Sequence, residues 1–174
     1  MRVFIAIEFE EKIKNYLSNQ QQIIKENSIK GNFTRKENFH LTLQFIGEVK
    51  REEIHILKEV IDKARSNTNG FQLFLKNIGR FERGKKSIVW VGITKNDELE
   101  ELYYDLENLL EAQGYPKEDR PFKPHITLGR QVIFKEGFEE IQKKSSIEPE
   151  RIIVNKISLM ESTRIDGKLK YIPL

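Results

Sequence analysis

Two kinds of hydrophobic spacing alternate along this chain. Residues 2–9 set Val3, Ile5, Ile7 and Phe9 against Arg2, Phe4, Ala6 and Glu8. Apolar side chains fall on both faces, which predicts a central strand. From Glu10 to about Asn27, Ile13, Leu17 and Ile24 recur near helical spacing in a Lys- and Gln-rich run, the pattern of an amphipathic helix packed on a sheet. Gly31 and Asn32 interrupt it. Phe39 to Ile46 alternates again, with Phe39, Leu41, Leu43 and Phe45 predicted to face the core and His40, Thr42 and Gln44 to share the other side. Gly47 ends this strand, and Arg51 to Arg65 carries Ile54, Leu57, Ile61 and Ala64 at helical spacing. His55 falls in that helix and reads as a surface or packing residue.

After a polar loop at Ser66 to Gly70, the period returns to two. A strand pair is predicted over Phe71–Ile78 and Ser87–Ile93, joined by a basic, Gly-containing connection. Trp90, inside the apolar run SIVWVGI, reads as core, with base stacking as the alternative. Asp97 is placed to cap the next helix, whose stripe of Leu99, Leu102, Tyr103, Leu106, Leu109 and Leu110 ends near Gly114. A loop with three prolines, Tyr115 to Pro124, delivers the chain into a strand beginning at His125 and closed by Gly129 and Arg130. Phe138 to Ile147 is a weaker helix, Arg151 to Glu161 a strand, and Asp166-Gly167 a hairpin turn into a last strand through Leu169 and Tyr171. This order predicts an α+β fold.

Two of the predicted strands carry the same chemistry. FHLTLQFIG and FKPHITLGR both contain His, apolar, Thr, Leu, with the two His 85 residues apart. Strand alternation puts His40 beside Thr42, and His125 beside Thr127. The chain has only three His, so their repetition with Thr two places on reads as one unit used twice. Each copy is also preceded and followed by a predicted helix. That arrangement suggests an internal duplication, with the two motif strands brought together about a pseudo-twofold axis.

Composition narrows the chemistry. At 174 residues, 38% hydrophobic and 33% charged, the chain suits a soluble globular domain or two small lobes sharing a cleft. Cys is absent, which removes disulfides, thiolate nucleophiles and thiolate metal sites. The first apolar run is too short for a signal or a membrane span, so a cytoplasmic location without membrane association is expected. A net charge of +3 does not by itself call for a nucleic-acid partner. Basic residues do cluster around the motifs, at Lys30, Arg35 and Lys36, at Arg80, Arg83, Lys85 and Lys86, and at Arg120, Lys123 and Arg130. They read either as a phosphate-attracting rim or as solvated surface.

A cleft with an imidazole on each wall can run paired acid–base chemistry near neutral pH, one ring accepting a proton while the other donates. A phosphodiester, above all a strained cyclic one, suits this arrangement. Thr42 and Thr127 would bind its non-bridging oxygens and Arg130 its added charge, although a strand-end Arg also reads as surface. Zinc is the competing use of two His. It usually takes three or four protein ligands, and the chain has no HExxH and no carboxylate two residues from either motif His. No metal and no cofactor are therefore expected. Two strand His satisfied by their neighbours remain the purely structural alternative.

These residues resemble the paired HxTx signatures of the 2H phosphoesterase superfamily, and within it the RNA 2',3'-cyclic phosphodiesterases, also called 2'-5' RNA ligases. The similarity extends to Arg2-Val3-Phe4-Ile5-Ala6, Glu37-Asn38-Phe39, Phe122-Lys123-Pro124, Gly129-Arg130 and Glu161-Ser162, essentially the whole chain. Phe33, where the family often has Trp, and Phe39, where Leu is common, are slight departures. The resemblance implies a single domain over residues 1–174, bilobal, with two pseudo-symmetric antiparallel sheets lining a central cleft and helices outside. It implies metal-independent opening of an RNA terminal 2',3'-cyclic phosphate to a 2'-phosphate by a monomer. His40 and His125 become the catalytic pair, with His125 as base and His40 as acid, and Thr42, Thr127 and Arg130 the phosphate ligands. The same site would serve a cyclic phosphate on a nucleotide or ADP-ribose derivative, or reversible 2'-5' ligation. A non-catalytic RNA-binding module is the alternative outside enzymes.

Overall fold

In the computed structural model, which describes residues 1–174, nine strands and four helices alternate along the chain. The first half runs β1 (Arg2–Glu8), α1 (Glu11–Glu26), β2 (Ser28–Phe33), β3 (His40–Glu48) and α2 (Ile54–Ser66). There follow β4 (Phe71–Arg83), β5 (Lys86–Ile93), α3 (Asp97–Ala112) and β6 (His125–Phe134). The chain ends with α4 (Phe138–Lys144), β7 (Arg151–Val154), β8 (Ile157–Ile165) and β9 (Lys168–Pro173).

The strands form two wholly antiparallel sheets, in the orders β3-β1-β8-β9 and β2-β6-β5-β4-β7. One HxTx strand lies in each sheet, and β3 and β6 approach one another. This is the expected α+β class. The two halves are not equivalent, because β3 is an edge strand whereas β2 covers the outer edge of β6. Both sheets and all four helices contribute to one cluster of 34 buried hydrophobic residues. β1 is central in its sheet, and its apolar residues on both faces are used: Val3, Ile5 and Ile7 join the main core, while Phe4 and Ala6 pack with Met160 and Tyr171 on the opposite face. No helix is long and apolar enough to cross a membrane.

Several expectations from the alternation pattern are corrected. The interruption at Gly31 and Asn32 lies inside β2, which the polar sequence SIKGNF disguises and which is held by pairing with β6. A Cβ on Gly129 would come within 2.9 Å of the Phe33 ring, so that pairing needs glycine. β6 does not close at Gly129 and Arg130 but runs on to Phe134, through an irregular pairing and a left-handed Gln131 at φ 51°. The single strand expected over Arg151–Glu161 is two, since β7 pairs with β4 in one sheet and β8 with β1 in the other. The basic connection after Ile78 is mostly strand, with only Gly84 and Lys85 between β4 and β5. Asn96, not Asp97, caps α3, its side chain accepting from the Leu99 N–H at 2.9 Å. α4 stops at Lys144, short of Ile147. The Asp166-Gly167 turn is as expected, both residues having positive φ.

Candidate active site

The alternation that buries Leu41 and Leu43 turns His40 and Thr42 toward a cleft of about 800 Å³. β6 does the same with His125 and Thr127 from the other sheet. Arg130 also lines this cleft. All five residues singled out in the sequence therefore meet in one cavity. Arg130 takes part in none of the protein's ion pairs, which leaves its charge available to an anion.

Each imidazole is oriented by the same device. His40 Nδ1 lies 2.7 Å from the Asn38 carbonyl, and His125 Nδ1 lies 2.6 Å from the Lys123 carbonyl. A carbonyl only accepts, so the proton of each neutral ring sits on Nδ1 and Nε2 carries the lone pair. His40 Nε2 accepts from the Thr42 hydroxyl at 2.8 Å. Asn38 is itself buried and fixed, its amide donating to the Leu169 carbonyl at 3.0 Å and accepting from the Tyr171 N–H at 3.2 Å. β9 and the approach to His40 are thus one unit. On the other wall, Gln21 from α1 donates to the carbonyls of Thr34 at 2.7 Å and Leu128 at 2.8 Å, and the Thr34 hydroxyl donates to the Thr127 carbonyl at 2.9 Å. The proline loop is anchored by Phe122 stacked on Tyr103 at 4.0 Å and by the Glu118 N–H on the Glu107 carboxylate at 3.1 Å.

Aromatic rings wall both imidazoles. Phe4 and Tyr171 lie 4.9 and 5.0 Å from the rings they meet, Phe4 tilted and Tyr171 edge-on against His40. Phe81 stands edge-on to His125 at 5.1 Å, with Trp90 at 6.1 Å. Low-dielectric surroundings disfavour the charged ring. Burial accordingly pushes His40 down to about 4; the Asn38 carbonyl opposes this, while the charges of Arg130, His125 and Lys14 add to it. His125 is also lowered, by burial first and Arg130 next, against the Lys123 carbonyl. Burial raises Tyr171, so its phenol stays protonated.

Three residues sit differently from their sequence reading. In β3 a bulge falls between Thr42, opposite Ala6, and Gln44, opposite Ile5. Leu43 is the extra residue, and the alternation reverses after it. Gln44 is buried, whereas Phe45 is 58% exposed and lines the cleft under the Arg2 guanidinium, 5.1 Å from the ring centre. Trp90 is not in the core cluster; it shares the cleft-facing side of its sheet with Thr127, its cross-strand neighbour. Of the basic clusters around the motifs, only Arg130 lines the cleft. Arg35, Lys36, Arg80 and Arg120 pair with Glu37, Glu11, Glu82 and Glu118, and the cleft's cations are Arg2, Arg130 and Arg164. His55 is exposed on α2, outside the site. Phe4, Asn38, Phe45 and Tyr171 have no repeated motif that could have marked them.

Comparison with known proteins places the chain among relatives of the same fold. The family model described as the 2'-5' RNA ligase superfamily matches residues 18–166. A Thermotoga maritima protein named RNA 2',3'-cyclic phosphodiesterase is 30% identical over 164 residues, 94% of this chain and 87% of its own. A Methanocaldococcus jannaschii protein of the same name is 32% identical over 167 residues, covering 94% of this chain and 92% of its own. The crystal structure of E. coli LigT in apo form superposes with a TM-score of 0.79 at 28% identity, over 99% of this chain and 94% of that one.

Proposed function

Because the chain belongs to the 2'-5' RNA ligase superfamily of 2H phosphoesterases, we propose that it opens RNA terminal 2',3'-cyclic phosphates to 2'-phosphates without a metal ion. His40 and His125 are the catalytic pair, and Thr42, Thr127 and Arg130 hold the phosphate. Residues 1–174 act as one domain, each lobe contributing one HxTx strand. The observation that carries this reading is the matched setting of the two rings, each pinned at Nδ1 by a backbone carbonyl two residues back. Support also comes from relatives that bear the name RNA 2',3'-cyclic phosphodiesterase.

Burial lowers both imidazoles and so favours their neutral rings. We assign the role of base to His40, which is held near 4 and is neutral in the free protein. This reverses the assignment the family resemblance implied. Substrate binding gives the Thr42 hydroxyl a non-bridging phosphate oxygen to donate to, which releases the His40 Nε2 lone pair it now caps. A water then gives its proton to His40 as its oxygen attacks phosphorus. The P–O3' bond breaks, and O3' takes the proton of His125, leaving a 3'-hydroxyl and a 2'-phosphomonoester. Arg130 and Thr127 meet the charge that builds on the phosphoryl oxygens.

The test is incubation with an RNA oligonucleotide ending in a 2',3'-cyclic phosphate, with EDTA present. A 2'-phosphate product is expected; a 3'-phosphate, or loss of turnover with the chelator, overturns the reading. For the roles, His125→Ala should keep activity on a 4-nitrophenyl phosphodiester, whose leaving group needs no acid, whereas His40→Ala should not.

A further inference from the structure

The cleft accounts for a terminal cyclic phosphate but not for a second groove that shares His125 with it. This groove, about 320 Å³, includes Phe81 and Trp90 on one side and Lys76, Lys95 and Lys123 around it, with Glu100 the one carboxylate in its lining. Trp90 is held as a platform. A Cβ on Gly79 would fall 2.2 Å from its ring, and one on Gly92 3.2 Å from it, so the indole occupies the space that two glycines leave open. Nothing in the protein hydrogen-bonds its Nε1; packing alone fixes the ring. Phe81 sits 5.3 Å away at 43°, and both rings remain partly exposed.

Packing against His125 explains one edge of this aromatic pair but not the cations. Lys76, Lys95 and Lys123 are exposed and make none of the protein's ion pairs. Fixed aromatic faces beside uncommitted lysines match a ligand that alternates flat bases with phosphates, which is single-stranded nucleic acid.

Resting on the phosphodiesterase reading of the cleft, we propose that this groove binds the nucleotide preceding the RNA terminus. Its base stacks on Trp90 and Phe81, and the phosphates flanking it meet Lys76, Lys95 and Lys123. The terminal nucleotide stays in the main cleft. The protein is therefore selective for oligonucleotide ends over cyclic mononucleotides.

Trp90 is the only tryptophan, so its emission reports on the groove directly. The native protein is titrated with adenylyl-adenosine carrying a 2'-phosphate and, separately, with adenosine 2'-phosphate. The dinucleotide is expected to quench Trp90 saturably and to bind at least about tenfold more tightly, the scale of one base stack. Lys76→Glu/Lys95→Glu, at two exposed positions, should bring the two dissociation constants together. Equal quenching by both ligands places the terminal base on Trp90 and overturns the proposal. So does dinucleotide binding that the double variant leaves intact. The two readings fail separately: quenching without hydrolysis rejects the phosphodiesterase reading alone, and hydrolysis without quenching rejects the groove alone.

Discussion

The low pKa of His40 makes protein stability depend on pH in a way one substitution removes. The ring's folded value of about 4 lies below its ordinary 6.5, with burial as the leading cause. A group that protonates less readily when folded makes no demand above its unfolded pKa. As pH falls below about 6.5 the unfolded chain takes up a proton that the folded protein refuses, and stability drops until pH reaches the folded value near 4. The full loss from this ring is about 3 kcal/mol. At pH 4.5 most of it is already present, about 2–3 kcal/mol. In a chain of this length that corresponds to roughly 5–10 °C in Tm. His40→Gln keeps a polar side chain but cannot titrate. Urea unfolding of both proteins at pH 7.5 and pH 4.5 gives the comparison. The parent is expected to lose about 2–3 kcal/mol more than the variant between the two values. Other titrating groups, His125 among them, contribute alike to both and cancel. Equal losses would mean that His40 titrates near its ordinary value, and the burial argument for a resident neutral base would fall with it.

Three further outcomes follow from the same geometry. The profile of kcat/KM against pH should be bell-shaped, rising above about 4 as His40 loses its proton and falling as His125 passes its own lowered pKa, below the ordinary 6.5; a rate that still climbs between pH 6 and 8 would refute the pairing. Arg130→Ala should lower kcat by about a hundredfold, the scale of one lost donor to a developing oxyanion, and should bring the emission of Trp90 no change. An effect confined to KM would mean that Arg130 serves only to bind. Gly79→Ala sets a Cβ 2.2 Å from the Trp90 ring and should destabilise by about 1–3 kcal/mol while shifting the tryptophan emission, as urea unfolding and fluorescence will show; an unshifted spectrum would mean that the indole is not held over this glycine.

The candidate site was legible because each of its proposed reacting groups lies in a local pattern. Two residues of separation suffice to put His40 beside Thr42 and His125 beside Thr127, and any antiparallel pairing of those strands preserves it. What alternation cannot carry is register against a partner. The bulge at Leu43 arises where β3 pairs with β1, so nothing within FHLTLQFIG announces that Gln44 turns inward and Phe45 outward. Trp90 lies in a run apolar on both faces, where only the placement of β5 between β4 and β6 decides which face meets the core. The change of sheet between Val154 and Ile157 is hidden for the same reason, since both strands obey period two.

This division has a chemical consequence. The rings that wall the two imidazoles come from strands far apart in the chain: Phe4 of β1 and Tyr171 of β9 against His40, Phe81 of β4 and Trp90 of β5 against His125. The identity of the proposed acid–base pair is thus local, whereas the protonation state of each ring depends on sheet order. A substitution that slips β9 against β8 would leave both HxTx motifs intact and yet withdraw Tyr171 from His40, together with the Asn38 contact that orients the ring. His40 would then regain a pKa nearer its ordinary value and lose its standing as the neutral base. Motif presence alone is therefore a weaker guide to activity in this fold than the aromatic surroundings that each sheet brings to its histidine.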